Sequence, residues 1–343
     1  MTSPHHSDIE PIAPQPSLGR RALLSQLGSL CALATLSQRC FAAPDDDDTT
    51  GEPAASRLTY EGPQTQRWKF GLSFNTPVTC TNVFATFVVP MEWPEQKLTP
   101  INQTIDNGIT GWEVKELVGG AKQVLVQMAS VPAGSTNEIS FEFDIERTRI
   151  LPPEQIDDLV IPKRLSRDEK IYIGNSPHID ASNGRIRKVS RELGEREAEN
   201  DWDRVEQIYD FVRKEVEYVE GPIRNASDAL KDGKGDCEDL TSLFVAICRN
   251  LRIPARMVWI PDHCYPEFYL EDSQGNGTWF PCQAAGTRMF GRMDEYRPIL
   301  QKGDRFKVPE SRTPVRYVAE YLKADRKGKK NPRPTWIREM IDV

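Results

Sequence analysis

Between Leu58 and Ile150, apolar and polar residues alternate with period two, as in Trp68-Lys69-Phe70-Gly71-Leu72-Ser73-Phe74 and Ile139-Ser140-Phe141-Glu142-Phe143-Asp144-Ile145. Alternation of this kind buries one face of a strand. Further short apolar runs at 83–89 and 123–128 are separated by turn clusters such as Asp106-Asn107-Gly108 and Ala133-Gly134-Ser135. Together they predict a β-sandwich-like domain over residues 57–150. Past Pro152 and Pro153 the period changes: Trp202, Val205, Ile208, Tyr209, Val212, Val216 and Val219 recur at helical spacing behind Asn200 and Asp201. That spacing predicts a helix over 201–219, and a second from 236 to 250 with Leu240, Leu243, Phe244 and Ile247 on its apolar face. Strands are predicted at 255–260, 263–270, 278–283 and 315–322. The class is α+β, with a second domain at 157–325 and a basic tail at 326–343.

Composition narrows the function classes. The chain has 343 residues, 28% of them charged, and a net charge of -7. That length holds about two domains, and the acidic balance excludes a nucleic-acid binder that works by phosphate neutralisation. Residues 1–43 read as an export signal: Arg20 and Arg21 precede a short apolar run from Ala22 to Leu36, and the small residues Ala42 and Ala43 stand before Pro44, in a pattern loosely similar to a twin-arginine signal. The expected location is periplasmic or extracellular, with no integral membrane segment after signal cleavage. Asp45 to Asp48 make residues 44–56 an acidic linker. With His5 and His6 in the leader, His178 and His263 are the only imidazoles left to a mature enzyme.

The chemistry concentrates in Gly233-Lys234-Gly235-Asp236-Cys237-Glu238-Asp239-Leu240. Asp236 is a good N-cap and Asp239 can complete a capping box. Cys237 then falls in the first helical turn, where unpaired amides and the helix dipole favour the thiolate. Cys248, further along the same helix, reads as packing. A zinc site is disfavoured, because consecutive His263 and Cys264 point to opposite faces of a strand and no Cys-x-x-Cys occurs. His178 lies in a Gly/Asn/Ser/Pro-rich loop and reads as a surface residue.

Gly235-Asp236-Cys237-Glu238-Asp239 followed by Arg252-Ile253-Pro254-Ala255-Arg256, then His263-Cys264-Tyr265-Pro266-Glu267, then Trp279-Phe280-Pro281-Cys282-Gln283 resembles the transglutaminase-like superfamily over about residues 225–285. The resemblance implies a papain-like core, with the nucleophile on a central helix packed on an antiparallel sheet. It implies Cys237 as nucleophile and His263 as general base, with no cofactor and no metal. The family's orienting aspartate is replaced by Gln283, whose amide oxygen can still accept from the imidazole but brings no charge; Asp262 and Asp294 are substitutes that sequence leaves open. Pro266 is a second departure.

Centring the following hairpin on Ser273 sets His263 opposite Gln283 and Cys264 opposite Cys282, the cysteine pair on the face away from the triad. In an exported protein Cys264 and Cys282 could form a disulfide or remain reduced. The function read from these residues is cysteine-dependent acyl transfer, with hydrolysis of peptide or isopeptide bonds in a peptide or protein substrate. The alternatives are a non-catalytic binding protein with a degenerate groove, a protein-crosslinking transglutaminase, and a structural module led by the sandwich. Substrate-binding residues and oligomeric state are not set by the sequence.

Overall fold

The alternating pattern of the first module becomes six strands: β1 (Thr59–Asn75), β2 (Cys80–Val89), β3 (Gln96–Ile105), β4 (Gly111–Leu117), β5 (Ala121–Val131) and β6 (Thr136–Leu151). The helical region follows as α1 (Arg167–Lys170), α2 (Gly184–Gly194), α3 (Asp201–Glu215), β7 (Glu217–Tyr218), α4 (Ala226–Asp232), β8 (Lys234–Gly235) and α5 (Cys237–Asn250). Then come β9 (Ala255–Ile260), β10 (His263–Glu271), β11 (Gly277–Pro281), β12 (Gln301–Lys302), β13 (Tyr321–Arg326) and β14 (Arg333–Ile341). The structure is a computed structural model that describes residues 57–342. The expected leader at 1–43 and the acidic linker at 44–56 lie outside the described residues.

The α+β class holds, as a sheet-rich fold with few helices. One antiparallel sheet runs β14-β1-β6-β3; a second runs β11-β10-β9-β12-β5-β2-β13, with β4 also paired to β5. Phe70 and Leu72 of β1, Val83 and Phe87 of β2 and Ile139 of β6 are buried in one shared core. A separate core gathers around α5, where Trp202 packs edge-on against Phe268, Phe280 and Phe290.

Two boundaries drawn from the sequence need correction. The expected tail at 326–343 contains β14, which pairs with β1 from Arg67↔Ile341 to Asn75↔Arg333. The strand expected at 315–322 is β13, which begins only at Tyr321 and pairs with β2; Val315 makes an isolated bridge to Phe306. The first module is therefore not closed at Ile150, because its two sheets each take a strand from the C-terminal end. The helix expected to reach 219 stops at Glu215, and Glu217–Tyr218 turns into a short parallel strand against Lys234–Gly235.

β12 joins the two regions through one continuous sheet, pairing with β5 on one side and β9 on the other. A buried ionic seam runs along that joint. Lys302 Nζ lies 2.7 Å from Glu95 Oε1 and 2.6 Å from Glu267 Oε1, and Arg256 Nε donates to Glu267 Oε2 at 2.7 Å. Such a seam fixes the joint more than it stabilises it, because buried ions lose hydration when they pair; removing one partner strands the rest, at about 3–5 kcal/mol. β9 and β10 are thereby locked against the first module, and His263 stands at the free start of β10.

Candidate active site

α5 begins where its sequence says it should. Asp236 Oδ1 accepts from the Glu238 and Asp239 amides at 2.9 and 3.0 Å, and Asp239 Oδ2 accepts from the Asp236 amide at 3.4 Å, closing the capping box. Asp239 is fully buried, and Arg224 Nε donates to it at 3.1 Å. Gly235 is required here: a Cβ on it would lie 2.5 Å from Asp239 Cβ. Residues 239–249 of α5 are all buried, so the helix cannot slide and Cys237 is held at its tip, partly exposed.

His263 Nε2 lies 3.1 Å from Gln283 Oε1. An amide oxygen only accepts, so Nε2 carries the proton and Nδ1 is left as the basic nitrogen. Gln283 is itself held from α3: Tyr209 Oη and Arg213 Nη1 both donate to its backbone carbonyl at 2.9 Å, and Arg213 Nη2 donates to Gly286 O at 2.8 Å. Its amide donates to Met289 O at 2.8 Å, and the guanidinium groups of Arg213 and Arg288 each lie 5.4 Å from the centre of the Tyr209 ring. The side chain that orients the histidine therefore rises from a clamped loop. Tyr209 and Arg213 were legible in the sequence only as helix residues, with nothing to mark their role at Gln283.

The electrostatics follow from this packing. The Cys237 thiol is pushed down to about 4, first by a hydrogen bond from the Cys264 thiol, against the effect of burial, and then by the hydrogen bond and charge of His263. His263 moves the other way. Burial disfavours its charge, but the Cys237 sulfur and Gln283 outweigh that and hold the ring above its ordinary value. A thiolate and an imidazolium thus stabilise each other. Cys248 is fully buried, and desolvation drives its thiol upward.

The hairpin register differs from expectation by two residues. Glu267 pairs with Pro281 and Glu271 with Gly277, so the turn centres on Gln274 rather than Ser273. The cause is Asp272, whose Oδ1 accepts from the Gln274 and Asn276 amides at 2.9 Å and draws Asn276 into the loop. An even shift preserves which residues share a face, and His263 still meets Gln283. The cysteine pair is separated: the Cys282 amide donates to Pro266 O at 3.0 Å, and Cys264 and Cys282 are both free thiols. The disulfide left open by the sequence does not form, and Cys264 does not face away from the site. Its sulfur lies 3.7 Å from Thr241 Oγ1, one turn along α5 from Cys237. Pro266 sits one residue before the β10–β11 ladder begins.

A cleft of about 530 Å³ opens over His263 and Gln283, lined also by Tyr218, Asp262, Gly286 and Arg297, among others. Tyr218 reaches it because β7 pairs Tyr218 with Gly235, two residues before Cys237; helical periodicity over 201–219 predicts it inside a helix instead. Asp294 pairs with Arg292 and lies outside that lining; Asp262 is within it. His178 is an exposed turn residue at φ 65, also outside the lining. Among the described residues no group of three or more His, Cys, Asp or Glu side chains could hold a metal ion, and no helix is long and apolar enough to cross a membrane.

Residues 187–284 match the family model of the transglutaminase-like superfamily. A solved structure described as a candidate cysteine protease from Cytophaga hutchinsonii shares the fold, with a TM-score of 0.54 and 17% identity over 83% of this chain and 93% of that one. A second, described as a candidate protease from Parabacteroides distasonis, overlaps at a TM-score of 0.25 and 11% identity, covering 64% of this chain and 47% of that one. No curated protein matches the chain.

Proposed function

With a transglutaminase-like core at residues 187–284 as the premise, we propose that the protein is an exported, cysteine-dependent hydrolase of peptide or isopeptide bonds. The observation that carries this reading is the chain of three groups, a depressed Cys237 thiol, His263 and Gln283, with His263 Nε2 3.1 Å from Gln283 Oε1. The Cys237 thiolate attacks the amide carbonyl, and the new C–S bond places negative charge on the carbonyl oxygen. The first-turn amide of Cys237, which the Asp236 cap does not use, is the donor proposed for that oxygen. As the C–N bond breaks, His263 gives its proton to the leaving amine. Water then attacks the thioester with His263 as base, releasing the carboxylic acid and restoring the thiol. Gln283 keeps the ring in the productive tautomer throughout.

The alternating first module, completed by β13 and β14, is read as a β-sandwich beside the cleft. Export rests on the arginine pair and apolar run of residues 1–43. A neutral Gln283 favours a second reading, a binding protein that retains the groove without turnover. A thiol-directed probe on the purified protein separates the two. The hydrolase reading expects labelling that is lost in Cys237→Ala and peptide cleavage that is lost in both Cys237→Ala and His263→Ala. Equal labelling of wild type and Cys237→Ala contradicts it.

A further inference from the structure

A second cavity shares one wall with the cleft beside His263. Asp262 lines the cleft and also this cavity of about 320 Å³, whose other walls are Trp68, Pro261, Glu320, Trp336, Arg338 and Met340. Trp68 belongs to β1, and Trp336, Arg338 and Met340 alternate along β14, so the far wall is built by the first module and its C-terminal edge strand. Asp262, next in sequence to His263, therefore stands between the two cavities.

Asp262 is unusual there in two respects. It is the second residue of the Pro261-Asp262 turn that joins Ile260 to His263, and its φ is 57. Glycine or asparagine takes that turn position at lower cost, so an aspartate there accepts local strain. Its carboxylate is also exposed, with no hydrogen bond or ion pair among the described residues. The other charges on the two walls are matched. Arg297 Nη2 lies 2.6 Å from Glu295 Oε2, and Arg338 is bonded to Glu320 and, at 3.0 Å, to Tyr317 Oη. The field of Asp262 reaches both arginines, but each already has its own carboxylate. One negative charge is left uncompensated, beside the partly buried Trp336 ring, which can receive a cation on its face.

We infer that the second cavity is a substrate subsite and that Asp262 is its specificity determinant, selecting a peptide with a lysine or arginine side chain next to the scissile amide. This rests on the peptide-hydrolase reading. Asp262 pairs with the incoming cation, and Trp336 and Trp68 cover its alkyl stem.

The test uses the full chain and peptides identical except for Lys, Ala or Glu at the residue flanking the cleaved bond. Wild type is expected to prefer Lys over Glu by about five- to tenfold in kcat/KM, a preference that shrinks as salt rises. Asp262→Asn, which suits the same turn, brings the ratio to about one, and Asp262→Lys inverts it. Binding of the same peptides to Cys237→Ala, read by tryptophan fluorescence, reports on the subsite without chemistry. Cys237-dependent cleavage with no Lys preference, or a preference that survives in Asp262→Asn, overturns the subsite while leaving the hydrolase reading standing. Asp262-dependent binding of the Lys peptide with no cleavage supports the subsite and overturns the hydrolase reading. Absence of both cleavage and binding overturns both.

Discussion

Two cysteines on one helix behave in opposite ways. Cys237 and Cys248 both belong to α5, yet the first is partly exposed with its thiol pushed down to about 4, and the second is fully buried with its thiol driven up. Residue type and secondary structure are the same at both positions. What differs is the surroundings: a helix start with open amides, the Cys264 thiol and the His263 ring at one end, and packed hydrocarbon at the other. A thiol's reactivity therefore lies in its neighbours, and each neighbour can be removed to test its share.

Removing the proposed nucleophile should have the largest effect. Cys237→Ala is expected to lower peptide cleavage by about four orders of magnitude or more, whereas Cys248→Ala leaves thiol-probe labelling as in wild type. Next is His263→Ala, for which kcat/KM should fall by about 10²–10⁴ and the onset of Cys237 alkylation should move from about pH 4 toward the ordinary thiol range. Gln283→Ala is expected to lower kcat about tenfold, with little change in KM, because the ring loses its orienting acceptor. Gln283→Asp brings a negative charge to the imidazolium and holds its proton longer. The alkaline limb of the pH–rate profile, set by deprotonation of His263, therefore moves to higher pH. The smallest change is Cys264→Ala. It leaves the plateau rate near that of wild type, but it deletes the hydrogen bond that does most to lower the Cys237 thiol and should raise the acid limb by about one to two pH units, the worth of a bond to a charged group.

Local pattern revealed much of this arrangement. Asp236 as cap, α5 to Asn250 and β9 over Ala255–Ile260 all lie where periodicity put them, because each is governed by residues within a few positions of itself. The pairing of β14 with β1 was not legible: the partners lie more than 250 residues apart, and an edge strand such as Arg333–Ile341 shows only weak alternation. The hairpin register was missed because one side chain, Asp272, decided the loop length. The place of Cys264 is a matter of tertiary packing: α5 covers the face of β10 that Cys264 takes, and this puts its sulfur 3.7 Å from Thr241 Oγ1. His263 and Gln283 survived the error because a two-residue slip keeps both side chains on the same face.

The most direct test of Cys237 as a pre-ionised nucleophile is its alkylation by iodoacetamide in the full chain, followed peptide by peptide from about pH 3 to pH 10. A rate that stays at the thiolate level down to about pH 4, with Cys248 unmodified throughout, is the expected result. A Cys237 rate that rises only near the ordinary thiol value of about 8.5 would contradict it.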